Sequence, residues 1–385
     1  MKQVIAILYL ALCLCPAMSR AATTDELEAR LQALQEELST ITQYETSNQQ
    51  NHGMTVAGYT DAAYISDSRN SVSPTIHLQH LSLFFKQEIS QQWRFFSEIE
   101  FEHTPQFETG NPITVQDCGP DKICGTLDDT NTTINTLEIS TGTIFTEALN
   151  LDFNWRSYAS FRIGRFFTPA GIWSIDHYPP FVATQERPRH IREIFPQTTD
   201  GILVFGIAPV FKHFVSYDLY AGNGEGNISQ DDENNHKALG LKLNFDLPYL
   251  NNFMVGTTLY HDVLNDDTDK KAFGVHAKIR QGDVELQSEY ANALLKPAIG
   301  NSYRKQGYYL QGLYQLNNWT LGLRYDFYDS QTSLKVNETT RSVFVNYHIT
   351  ENLNMKLETH AVNLQDPALE DYYKTIISIN ASLGH

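Results

Sequence analysis

The chain is 385 residues long and acidic, with 45 Asp and Glu against 28 Lys and Arg and a formal charge of -17 at pH 7. That balance argues against a nucleic-acid partner, which would need a basic face. Length alone suggests two or three domains, a soft prior that a single large β architecture overrides.

The first element is an export signal. Lys2 precedes the apolar run Ile5 to Leu14, and "AMSRA" supplies small residues at Ser19 and Ala21, so residues 1–21 read as a secretory signal peptide. Cys13 and Cys15 each follow a leucine where a lipobox wants a small residue, which makes lipidation the weaker reading. No other apolar run approaches the length of a transmembrane helix, a test that is blind to barrels.

Residues 22–45 predict a short α-helix. Leu27, Leu31, Leu34, Leu38 and Ile41 are spaced four, three, four, three, the a/d seam of a coiled coil, and Thr23 with Glu26 makes a capping box. An amphipathic helix lying on its own domain is the alternative, but it would show a wider apolar face. The polar stretch 46–53, "TSNQQNHG", reads as a linker.

From residue 54 to 385 the period changes to two. In "KALGLKLNFDL", Leu239, Leu241, Leu243, Phe245 and Leu247 alternate with Ala238, Gly240, Lys242, Asn244 and Asp246. "WRFFSEIEFEH", "WTLGLRYDF" and "LNMKLETHA" do the same. Strands are expected at 54–66, 76–89, 93–103, 134–149, 156–167, 200–209, 211–221, 237–247, 252–262, 272–281, 283–292, 304–315, 318–328, 339–349, 352–363 and 371–384. Short connections such as "QGD", "NN" and "TEN" alternate with long polar ones at 104–133, 168–199, 222–236, 293–303 and 329–338. This predicts an all-β fold: a transmembrane antiparallel barrel of about sixteen strands, with the short turns and the helix on the periplasmic side of a bacterial outer membrane. A soluble propeller or sandwich would alternate too, but has no reason to alternate its connection lengths. Trp93, Tyr308, Trp319, Phe327, Tyr347 and Tyr373 fall near strand ends and suit interfacial girdles.

If the apolar face meets lipid, the other face lines water. By parity it receives Arg94, Glu98, Glu100, Glu102, Arg162, Lys242, Glu285, Glu289, Arg324 and Lys356, along with Asp246, Asp262, Lys305, Asp326, Glu358 and Lys374. A dry core could not hold so many charges. Cys118 and Cys124, in "DCGPDKICG", are expected to form a disulfide tying off a loop in an oxidising compartment.

Loop 168–199 collects Arg187, Arg189, His190 and Arg192 within six positions, on a segment that carries two prolines, Pro188 and Pro196. Folded inward, it would narrow the lumen and set cations against wall acids such as Glu98, Glu100 and Glu102. As a surface loop it would pair with neighbouring acids or with lipopolysaccharide.

"RIGRFFTPAGIW", the aromatic, Pro-rich loop after it, "AGNGEGN" and the heptad helix together resemble outer-membrane porins of the phosphate-selective and dicarboxylate-channel type. The resemblance implies a sixteen-stranded homotrimer, embedded in outer-membrane lipid and lipopolysaccharide, that passes small polar solutes, often anions, past an inward-folded loop. Two departures stand out. The family's phosphate channels line the pore with many arginines, whereas this lumen is mixed; and the last strand ends in His385 where Phe is usual. The expected function is a passive channel, with the lean toward anions that the resemblance implies. No cofactor or metal is implied. An enzyme is disfavoured because no G-x-S-x-G or H-E-x-x-H occurs. A structural or adhesive barrel, using acidic loops such as "GNGEGNISQDDENN" to bridge divalent ions, is the remaining alternative.

Overall fold

The computed structural model describes residues 53–384 apart from 70, 110–112, 119–121, 123, 125–129, 135–136, 211–212, 226–233, 248–251, 332–336 and 366–368. The expected signal peptide, the expected seam Leu27, Leu31, Leu34, Leu38 and Ile41, the expected linker up to residue 52 and His385 lie outside the described residues.

The strands are β1 (Thr55–Asp67), β2 (Thr75–Glu88), β3 (Trp93–Thr109), β4 (Ile113–Asp117), β5 (Thr130–Ile134), β6 (Leu137–Arg156), β7 (Ala159–Phe167), β8 (Thr198–Val210), β9 (His213–Gly222), β10 (Ala238–Leu247), β11 (Phe253–Val263), β12 (Asp269–Gln281), β13 (Val284–Lys296), β14 (Tyr303–Leu316), β15 (Trp319–Ser330), β16 (Asn337–Thr350), β17 (Leu353–Leu364) and β18 (Tyr372–Leu383). One helix, α1 (Arg189–Ile194), lies between β7 and β8. Sixteen strands form a closed antiparallel barrel, with β4 and β5 as a separate hairpin. Closure runs through β1 and β18, paired from Gly58↔Leu383 to Asp67↔Lys374. Closure leaves the barrel sheet itself without an open edge.

The two faces sort as the alternation requires. On β15 the exposed positions are Trp319, Leu321, Leu323 and Tyr325, and the buried ones are Thr320, Gly322, Arg324, Asp326, Tyr328 and Ser330. Apolar side chains on the outside and charges within are the reverse of a water-soluble protein. The tight turns at 282–283 and 317–318 carry positive φ at Gly282 and Asn317, two residue types that tolerate the left-handed region.

Two expectations are corrected. The strand expected at 134–149 runs on to Arg156, because "LNLDFNWR" keeps alternating and its turn, Ser157–Tyr158, has no Gly, Pro or Asn to announce it. The polar connection expected at 104–133 is largely strand: β3 reaches Thr109, and β4 and β5 pair beyond it from Ile113↔Ile134 to Asp117↔Thr130. Cys118 directly follows β4 and is bonded to Cys124, with Cα atoms 4.5 Å apart.

Candidate functional site

The long segment between β7 and β8 turns into the barrel from its first residues. Gly171 has φ of +54°, and a Cβ there would overlap the Glu289 carboxylate. Glycine is therefore required twice over, by conformation and by space. The turn it begins presents backbone N–H groups to β13: Glu289 accepts from Ile172 N (2.9 Å) and Trp173 N (3.1 Å), and from the Tyr309 hydroxyl (2.8 Å). Gly171 N donates to Thr258 Oγ1 on β11 at 3.2 Å.

Apolar contacts seat the two ends of the loop. Ala170, Ile194 and Phe195 join a buried cluster with Phe166, Leu203, Tyr220, Tyr260 and the inward-facing Ala238, Ala272, Ala291 and Ala293. Small residues on that part of the wall leave the volume the loop fills. Helix α1 follows Pro188, whose φ of -55° suits a helix start, and carries Arg192 in its last turn, where a cation complements the dipole.

Between these ends the chain has no regular structure, so its carbonyls need other donors. Residues of β15, β16 and β17 supply them. Lys356 Nζ donates to the carbonyls of Pro179 (2.6 Å) and Val182 (2.8 Å), Asn354 Nδ2 to Pro180 (2.9 Å), and Asn346 Nδ2 to Ala183 (2.9 Å). Arg324 donates to Thr184 Oγ1 at 2.5 Å and to the Glu186 carbonyl at 2.9 Å, and Glu358 accepts from Gln185 N at 2.5 Å. Across the barrel, the Tyr178 hydroxyl donates to Glu98 on β3 at 2.8 Å.

The four basic residues part company. Arg189 pairs with Glu338 at 2.5 Å and lies 3.7 Å from Glu193, and Arg192 lies 3.5 Å from Glu186. His190 is 1% exposed, with its ring 5.8 Å from that of Tyr309, so it faces the wall and not the solution. A Cβ on Gly307 would come within 2.5 Å of the His190 Cβ, which is how close that seat is. Arg187 makes no hydrogen bond or ion pair among the described residues, and its charge acts on Glu100 and Glu147.

The ten wall residues also divide. Glu98, Glu100, Lys242, Glu289, Arg324 and Lys356 are buried. Glu98 accepts from Ser82 at 2.7 Å as well as from Tyr178; Glu100 accepts from Tyr59; Lys242 sits opposite Asp218 in the ladder. All six lie on the inner face but are buried, and five of them, Glu98, Glu100, Glu289, Arg324 and Lys356, hydrogen-bond the loop or a neighbouring strand. Partly exposed are Arg94, paired with Glu88 at 2.6 Å; Glu102; Arg162, bidentate to Asp152 at 2.6 and 2.8 Å; and Glu285, 3.0 Å from Lys278. The parity reading passed over Tyr59, Asp61, Asn346 and Asn354, which share the inner face but include uncharged residues. It also missed Glu147, which lies where the β3–β6 register shifts at Glu98/Ile99.

A family described as Gram-negative porin matches residues 132–366. The chain belongs to that family. A relative from Aquifex aeolicus (strain VF5), described only as an uncharacterized protein, is 25% identical over 303 residues, covering 69% of this chain. The chain spans 62% of that relative's length. Among solved structures, this porin resembles an anion-selective porin from Comamonas acidovorans (TM-score 0.58, 12% identity, 86% of this chain and 99% of that one). It also resembles Salmonella typhi OmpF in complex with daunomycin (TM-score 0.57, 11% identity, 86% and 97%) and the outer membrane channel DcaP of Acinetobacter baumannii (TM-score 0.54, 11% identity, 86% and 96%). At these identities the likeness is one of fold.

Burial sets the protonation of the porin's loop. It pushes His177 down to about 3, helped by the Arg187 charge, and His190 down to about 3, helped by Arg324. Both imidazoles are neutral at pH 7. Burial raises Glu186, but Lys374, which donates to it, and Arg192 outweigh that and hold its carboxyl below the usual range.

Proposed function

We propose that this porin is a passive outer-membrane channel for small hydrophilic solutes, narrowed by the loop at 168–197. The observation that carries the reading is the loop's set of hydrogen bonds to inward-facing side chains of β3, β11, β13, β15, β16 and β17. A segment tied to strands on opposite sides of a barrel crosses its lumen. Arg187 then stands at the aperture with Glu100 and Glu147 across from it, a transverse pair that selects by size and sign. Any lean toward anions rests on Arg187, since Arg189 and Arg192 are neutralised by acids. The Comamonas porin, described as anion-selective, makes that lean worth measuring. A homotrimer held in part by a periplasmic coiled coil at 22–45 completes the proposal; a Vibrio cholerae OmpT structure is described as a trimer form.

The test is single-channel recording of the purified protein in planar bilayers. Regular conductance steps are expected, and Arg187→Gln should shift the reversal potential in a salt gradient toward cations. An unchanged potential would remove Arg187 from the aperture. Near-zero current would favour the structural or adhesive barrel.

A further inference from the structure

On the inner wall of β2 and β3, Glu100 has neighbours that a field opposite Arg187 does not account for. His80, Glu100 and Glu102 each present one ligand atom, and these atoms all lie within 4.8 Å of one another. We propose that they form a binding site for a divalent transition-metal ion of the zinc class.

The orientation of His80 is the first argument. Its Nδ1 lies 2.7 Å from Asp61 Oδ1, and Asp61 is itself held through its other oxygen by Gln185 Nε2. A carboxylate on Nδ1 keeps the proton there and leaves the Nε2 lone pair free, the arrangement that orients metal-binding histidines. That Nε2 points at Glu102, 3.8 Å from Oε1. Glu100 is fixed in turn by the Tyr59 hydroxyl on one oxygen.

A second pair of imidazoles stands on the far side of Glu102. His103 Nδ1 lies 4.0 Å from Glu102 Oε2, and the His103 ring meets His77 edge-on at 5.6 Å. Glu102 is thus flanked by imidazoles from β2 and from β3. Mixed imidazole and carboxylate donors suit zinc, nickel and copper, whereas magnesium and calcium prefer oxygen alone. Three protein ligands leave positions for water, and the site is reachable, with side-chain exposures of 20% at His80 and 27% at Glu102.

The sequence concealed this group. In a regular strand His77 and His80 would project to opposite faces. A bulge shifts the register so that Asp61 pairs with His80 while Ala63 pairs with His77, and both imidazoles turn inward.

The test is equilibrium binding of Zn²⁺ to the full-length protein in detergent, with Mg²⁺ in excess. One site per chain is expected, not displaced by Mg²⁺. His80→Ala and the conservative Glu102→Gln should each weaken it about tenfold or more. His236→Ala, at an exposed histidine on another loop, should leave it unchanged. Absence of bound zinc, equal displacement by Mg²⁺, or unaltered affinity in both His80→Ala and Glu102→Gln would overturn the proposal. The measurement needs no current, so a protein that binds zinc through His80 but does not conduct fails as a channel and keeps its metal site.

Discussion

Glu289 does at one carboxylate what a helix terminus does with several groups: it gathers two backbone N–H donors and a hydroxyl in a buried place. Glu289→Gln turns one acceptor into a donor that faces an N–H, and is expected to weaken loop seating by about 2–3 kcal/mol. Trypsin cleavage after Arg189 and Arg192 should rise accordingly in the folded protein. His190 is the opposite case, since neither ring nitrogen has a hydrogen-bond partner among the described residues. His190→Leu should seat the loop better by about 1 kcal/mol. The same burial gives a pH dependence. The seated loop holds His177 and His190 at about 3, while the released loop lets them protonate near the ordinary histidine value. The released form binds more protons below that value, so seating is complete above about pH 6.5 and is lost as pH falls toward 3. Protonation of Glu186, held low by Lys374 and Arg192, works in the same direction at the acid end. Open-channel noise should therefore increase between pH 7 and 4.5, and less so in His190→Leu. Equal noise at both values would sink this account.

Among the elements, β15, β16 and β17 act together on the loop, and the division of labour explains what could be read in advance. The inward positions of these strands were legible from parity, because a period of two survives any uncertainty about strand ends. Their purpose was not. Lys356 and Arg324 look like pore lining until a segment without periodicity is laid over them, and a loop gives no parity from which to infer its path. Lys356→Met keeps length and volume but leaves the Pro179 and Val182 carbonyls without their donor. Each unpaired carbonyl costs about 1–3 kcal/mol. The expected result is an unchanged barrel with larger, less regular conductance steps. Legibility failed again wherever the period broke, at the bulge opposite Asp61 and at the β3–β6 register shifts.

For the molecule as a whole, closure through β1 and β18 makes the barrel sheet self-sufficient in hydrogen bonds, so the proposed coiled coil is not needed for the barrel itself. Deleting residues 22–45 from the mature chain is expected to lower the trimer fraction in light-scattering measurements while preserving the β signal in circular dichroism. A trimer of undiminished stability would remove the heptad seam from the assembly. Much of the architecture was legible because a membrane barrel obeys one rule along its whole length, apolar out and polar in, and the turns keep time. The alanines under the loop are the exception to that rule. Ala238, Ala272, Ala291 and Ala293 form an oily lining on one flank of an otherwise wet bore, hidden only while Ile194 and Phe195 rest on them. Excising the loop to widen the passage would uncover that flank, and the enlarged bore would foul with detergents, bile-like amphiphiles and other greasy molecules that the intact protein turns away.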